Sequence, residues 1–265
     1  MSVIAPQTTV APQPVIADLR DRVTAEEWQT RVDLAAAYRL VAHYGWDDMI
    51  FTHISARVPN SDHHFLINPY GQLFSEISAS SLVKVDLDGN KLEETPYPVN
   101  PAGFTIHSAV HAAREDAGCV LHLHTIAGVG VSCQEGGLLQ LNQTAMVFND
   151  ELAYHEYEGI ALDHDERPRL VADLGTKSAM LLRNHGTLTL GNTIADAFMR
   201  MYYLERACAM QVAALSGGAA ALHYPPAGVQ EVVRQQARGL SGALSNLAWD
   251  GLLRMLDRTD TSYKR

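Results

Sequence analysis

Residues 118–124 read Gly-Cys-Val-Leu-His-Leu-His, an apolar run carrying two histidines two positions apart. No other segment constrains the fold as strongly. The run is far too short to cross a bilayer and too apolar for a surface loop, so it must be a strand inside a sheet. Residues i and i+2 of a strand share a face, which brings the rings of His122 and His124 together. One reading makes one of them a core histidine and the other a surface residue. The other lets them share a metal ion, for which neutral imidazole nitrogen is a standard ligand. The spacing alone leaves both open.

The segments around this strand define an α/β chain. Thr24 and Glu27 form a capping box that opens a helix running to about Tyr44, with Gly45 as its stop. Met49 to Val58 reads as a strand with Phe51, His53, Ser55 and Arg57 on one face. Short strands are expected at 65–68 and 82–87, and Asn100-Pro101 starts a helix to about Asp116. Thr125 to Cys133 is a short helix or turn, and residues 152–157 form a strand. A helix over 165–174 is followed by strands at 179–183 and 187–190, then by the longest helix, 193–215. Helices near 227–240 and 243–257 complete the chain. Strands dominate the middle with helices between and after them, so the expected architecture is three layers, α/β/α, with helices on both faces of a central sheet. Residues 1–22, with three prolines, read as a flexible arm, and 23–265 as one domain that includes the C-terminal helices over 227–257.

Composition removes several functions. The chain has 265 residues and a formal net charge of −10, which disfavours nucleic acid or an anionic membrane as partner. No run of about 18 apolar residues exists, and the first 20 residues lack the basic start and apolar stretch of a secretory signal. Cys119, Cys133 and Cys208 fit neither a disulfide framework nor a C-x-x-C metal site, so a reducing cytoplasm is the expected location. No G-x-G-x-x-G or phosphate-cradling loop is present.

The chemistry therefore falls to the 12 histidines and their neighbours. Asn184-His185-Gly186 follows a buried strand, at the kind of strand end where α/β sheets bind ligands. A plain turn histidine is the alternative there. His107 and His111 lie four apart on one helix face, as a metal pair or as a satisfied core pair. Tyr154, His155, Tyr157 and Glu158 form a polar cluster that is not H-E-x-x-H, because Gly159 holds the second histidine position.

Taken together, the ordered pieces FTHISAR (51–57), INPYG (67–71), SSLVKVDLDGN (80–90), FTIHSAVHAARED (104–116), VLHLHT (120–125), LLRNHG (181–186) and LGNTIADAF (190–198) resemble the class II aldolase/adducin family. PYG, NPAGFTIHSA and YHEYEGI are similar to its adducin-like branch. The resemblance implies a central mixed, mainly antiparallel sheet flanked by helices, and a homotetramer. It also implies that His122, His124 and His185 hold a divalent metal, zinc first, with manganese or iron as alternatives. That metal would polarise a carbonyl as a Lewis acid.

Departures from the aldolase pattern are informative. Gly103 stands where the family's catalytic Glu is expected, and Pro101 and Ala102 replace two phosphate-binding serines. His53 replaces an Asn of the early loop and Tyr70 a Ser of the turn before Gly71. A phosphate dianion needs several donors, and these positions lack them. The expected function is a metal-dependent carbon–carbon lyase, a decarboxylase or retro-aldolase. Its substrate would be a small non-phosphorylated hydroxy- or keto-acid, of which an aromatic acid is one form. His53, Tyr70, Gly71 and Gly103 would line the substrate pocket. His53, His107, Tyr154 and Tyr157, with Glu76 and Glu158, are the candidates for proton transfer. A non-haem iron oxygenase and a non-catalytic assembly module are the alternatives on the same fold.

Overall fold

A computed structural model of the chain describes residues 19–61, 63–160, 163–238 and 241–265. Its helices are α1 (Leu19–Arg22), α2 (Ala25–His43), α3 (Pro101–Ala113), α4 (Ile126–Ser132), α5 (Gln143–Met146), α6 (Arg167–Leu174), α7 (Ile194–Leu215), α8 (Val229–Arg238) and α9 (Ser241–Thr259). The strands are β1 (His53–Arg57), β2 (Phe65–Ile67), β3 (Val83–Val85), β4 (Cys119–Leu123), β5 (Leu152–His155), β6 (Ala179–Leu182) and β7 (Gly186–Gly191). They form one seven-stranded sheet in the order β3-β2-β1-β4-β7-β6-β5. Every pairing is antiparallel except β5 with β6, so the sheet is mixed and mainly antiparallel.

The apolar run around His122 is the middle strand, β4, with β1 on one side and β7 on the other. Both its faces are covered, and the alternation of its side chains sorts the helices into two layers. Cys119, Leu121 and Leu123 pack with Leu34 and Tyr38 of α2 and Phe198 and Met201 of α7, a layer that also takes Trp249 and Leu256 of α9. Val120 faces the other way, onto Ile106, Ala109 and Val110 of α3 and Leu170 and Leu174 of α6. His122 belongs to this second face. His53 pairs with it across the β1–β4 ladder, so His53 and Ser55 share the α3 side.

Local signals fix the helix starts. The side chains of Thr24, Thr125 and Thr193 each accept a hydrogen bond from the backbone N–H three residues on, capping α2, α4 and α7. Three expectations are corrected. Leu19–Arg22 is a helical turn with Leu19 buried, so the arm does not extend to 22, and residues 1–18 lie outside the described ones. The strand expected from Met49 begins only at His53, because Met49 and Thr52 have φ of 52° and 64° and turn the chain as a loop. The strand expected to reach Tyr157 ends at His155. The short helix α5, capped by the Asn142 side chain, was not anticipated.

Candidate metal centre

Three elements bring three histidines together. His122 lies on β4, His124 just past its end, and His185 in the tight turn between β6 and β7. Asn184 makes that turn with φ of 56°. Gly186 is forced by crowding: a Cβ there would lie 2.4 Å from the Leu123 carbonyl oxygen. One ligand atom from each histidine lies within 4.8 Å of the others. His122 is buried, and the other two are partly exposed.

The outer hydrogen bonds decide what this cluster can hold. His122 Nδ1 is 3.0 Å from the carbonyl oxygen of Thr187, and a carbonyl only accepts, so Nδ1 carries the proton. His124 Nδ1 is 3.1 Å from the carboxylate of Asp48, which likewise accepts. Both Nε2 atoms are therefore left with lone pairs, and they face each other at 3.0 Å. With one proton on each ring, none can sit between them. A cation resolves that repulsion: a tetrahedral zinc with bonds of about 2.0–2.1 Å spaces its ligand nitrogens about 3.3 Å apart. A carboxylate or carbonyl behind each ligating imidazole is also the support such ligands use. The donor set fits a divalent metal. Burial, with the neighbouring rings, holds His122 well below the ordinary imidazole range and His185 down to about 4, so these two are neutral.

Beside the cluster, the His53 ring centroid lies 5.2 Å from that of His122. The ring fills the space above Gly103: a Cβ at 103 would lie 2.2 Å from His53 Cδ2 and 2.5 Å from Nε2. His53 and Gly103 are thus a matched pair, in which the imidazole takes the room that any side chain at 103 would need. His107 is fully buried behind His53, with both ring nitrogens bonded, and reaches the site only through it. His111 is the deeper of the helix pair, bonded to Ser55 and to the Ala117 carbonyl, so the pair is a satisfied core pair.

The remaining candidates separate. Tyr157 is exposed, its ring centroid 6.1 Å from that of His185, and belongs to the mouth of the site. Tyr154 does not. Its hydroxyl accepts the Leu138 N–H, and its ring lies under the Arg183 guanidinium among side chains of α5 and α7. Alternation along β5 turns Leu152 and Tyr154 towards α5 and α7 and Ala153 towards α3 and α6, and Tyr157 lies beyond the end of the strand at His155. Glu76 caps the Leu73 N–H, and Glu158 is an exposed partner of Arg169, so neither joins the cluster. Tyr70 is partly exposed with its N–H on the Pro98 carbonyl, and Gly71 turns the chain at φ of 103°. No hydrogen bond or ring contact among the described residues joins Tyr70 to the histidines. Asp48 was missed by sequence reasoning, because nothing in Trp46-Asp47-Asp48 separates it from a surface loop.

Residues 32–212 match the family of class II aldolase and adducin N-terminal domains. The chain belongs to the class II aldolase and adducin family. A Caulobacter vibrioides protein provisionally named an aldolase class 2 protein is 59% identical over 245 residues, 92% of this chain and 95% of that one. Mouse alpha-adducin is 47% identical over 189 residues, 70% of this chain but only 26% of the adducin. A crystal structure of an aldolase II superfamily protein from Pseudomonas syringae is 52% identical, with a TM-score of 0.90 over 93% of this chain and 99% of that one. The α/β fold expected from the sequence is thereby shown. Among the described residues no helix is long and apolar enough to cross a membrane.

Proposed function

We propose that the chain is a metal-dependent carbon–carbon lyase, a decarboxylase or retro-aldolase acting on a small non-phosphorylated hydroxy- or keto-acid. The observation that carries this reading is the pair of opposed Nε2 lone pairs on His122 and His124, with His185 as third donor. A divalent ion held there, zinc first, would act as a Lewis acid on a carbonyl or carboxylate oxygen of the substrate. The chain's own residues do the rest. Asp48 and the Thr187 carbonyl hold the ligand rings in one tautomer. His53 offers a polar atom above Gly103, and Tyr157 places a phenol at the mouth. Residues 101–103 are Pro-Ala-Gly and offer no side-chain donor to a phosphate, which favours an unphosphorylated acid. Assembly as a homotetramer is part of the same reading. Ile126, 96% exposed and two residues from His124, with Met49 and Ile160 also exposed, is apolar surface that a neighbouring copy would cover.

Elemental analysis of the purified protein tests this directly. About one equivalent of zinc or manganese per chain is expected, and His122→Ala should lose most of it. The loaded protein should then release CO₂ or an aldehyde from hydroxy-aromatic or keto acids. Unchanged metal content in His122→Ala would refute the ligand assignment. The similarity to alpha-adducin supports one other reading, a binding or assembly module. Protein that takes up no metal even in excess zinc would establish that reading over the lyase.

A further inference from the structure

Four side chains behind the metal centre form a continuous line of hydrogen bonds. The Ala117 carbonyl oxygen is 3.0 Å from His111 Nδ1, and His111 Nε2 is 2.7 Å from Ser55 Oγ. Ser55 Oγ is 2.5 Å from His107 Nδ1, and His107 Nε2 is 2.9 Å from His53 Nδ1. His107 and His111 are wholly buried and His53 is 4% exposed, and among the described residues no carboxylate is bonded to any of the three. Burial keeps all three rings neutral, His111 down to about 3.

Only one arrangement of protons satisfies this line. A carbonyl cannot donate, so the proton of His111 is on Nδ1 and its Nε2 accepts. The Ser55 hydroxyl must be the donor to that Nε2. Its single proton is then spent, and towards His107 its oxygen accepts, so His107 carries its proton on Nδ1. The Nε2 of His107 therefore accepts from His53 Nδ1–H. What remains is a lone pair on His53 Nε2, the ring edge beside Gly103. Among the described residues no hydrogen bond engages that atom. The carbonyl of Ala117, four bonds away, has set the polarity of an atom at the site.

We propose that Ser55, His107 and His111 are positioning residues that hold His53 in the Nδ1–H tautomer, so that its Nε2 is a fixed acceptor at the metal centre. A ligand group facing Nε2 must then donate, as a hydroxyl does. A carboxylate or phosphate oxygen there would meet a lone pair with no proton to share. The line itself is independent of the lyase reading; its role towards a substrate hydroxyl rests on that reading.

The test is the tautomer of each ring, read by nitrogen-15 NMR of the full-length protein labelled at histidine, as purified and after chelation, with His53→Asn to assign the His53 signals. His53, His107 and His111 should all show Nδ1–H and a bare Nε2, by about tenfold or more over the other form, the ratio one hydrogen bond sustains. A proton on His53 Nε2 in the wild-type protein overturns the proposal. In Ser55→Ala the polarity is no longer imposed and His53 should shift towards Nε2–H. Ser55→Thr, which keeps the hydroxyl, should restore the wild-type pattern. A water filling the Ser55→Ala gap would preserve the line, so His107→Phe, which can neither accept nor donate, removes it by a second route. An unchanged His53 tautomer in both Ser55→Ala and His107→Phe overturns the positioning role. Intact tautomers in a protein that binds no metal and turns over no acid would sink the lyase reading and leave the line standing.

Discussion

At the scale of single residues, the exchange at positions 53 and 103 governs what the site can be. In the aldolase pattern a carboxylate rises from the start of the helix that carries His107. Here that position is Gly103, and the imidazole of His53 lies where its Cβ would be. Gly103→Ala tests the coupling. An alanine in a free helix position gains about 0.5–1 kcal/mol over glycine. Here it should instead cost about 1–3 kcal/mol, because the methyl must displace a buried ring held on its far side by His107. The cost should largely vanish in a His53→Asn background, where the smaller amide leaves room. Additive effects of the two substitutions in urea unfolding would show that the two sites do not press on each other. The same crowding means that Gly103→Glu alone does not rebuild an aldolase base; the pair has to be exchanged together. Sequence spacing exposed the cast of this site, since His53 and Ser55 alternate on one strand and His107 and His111 share a helix face. It did not expose Asp48, whose role depends on where a loop delivers it, or the line through Ser55, which needs two elements in contact.

At the scale of elements, the strands were legible where burial on both faces made them apolar and alternating. The β4, β6 and β7 strands lie within a residue or two of where the pattern placed them. The loop before β1 was not. Met49-Ile50-Phe51-Thr52 is apolar and β-branched, the composition of a strand, yet Met49 and Thr52 adopt left-handed backbone. That turn carries Asp48 back to His124. Thr52 is a costly residue for the position: β-branched at φ of 64°, 2% exposed, with its hydroxyl unbonded. Thr52→Gly should therefore raise the melting temperature or leave it unchanged, unlike most substitutions of a buried residue. Relief of strain and of the orphan hydroxyl, together about 2–4 kcal/mol, exceeds the roughly 1 kcal/mol of added chain entropy. Metal affinity should fall at the same time, because a looser loop holds the Asp48 carboxylate less well against His124. A clear drop in melting temperature would show that the loop is not strained at Thr52.

At the scale of the whole molecule, the unusual fact is that so many imidazoles are built into the interior. His53, His107, His111, His122 and His155 are each less than 5% exposed, on or beside the strands of the sheet. A buried neutral histidine makes folding depend on pH with a definite sign. The folded-state value of His111 lies at about 3, below the ordinary 6.5, because burial and the nearby Arg57 disfavour its charged form. Between those values the unfolded chain binds the proton and the folded one does not, so stability increases with pH there. The contribution is complete above about pH 6.5 and is lost as pH falls towards about 3. From pH 7 to pH 5, His111 alone should cost about 2 kcal/mol. His53, His107 and His122 are shifted in the same direction and add to the loss. His155 differs from the other four in having Glu166 and Asp173 at its two ring nitrogens. Urea unfolding of the chelator-treated protein at the two pH values is the measurement, with the midpoint expected to drop sharply at the lower one. Bound metal should widen the gap further, since protons compete for the ligand nitrogens and the ion stabilises only the folded chain. A midpoint that stayed level between pH 7 and pH 5 would mean that the buried rings take up protons over the same range as in the unfolded chain. The one-way line of hydrogen bonds and the opposed lone pairs at the metal centre would both fall with it.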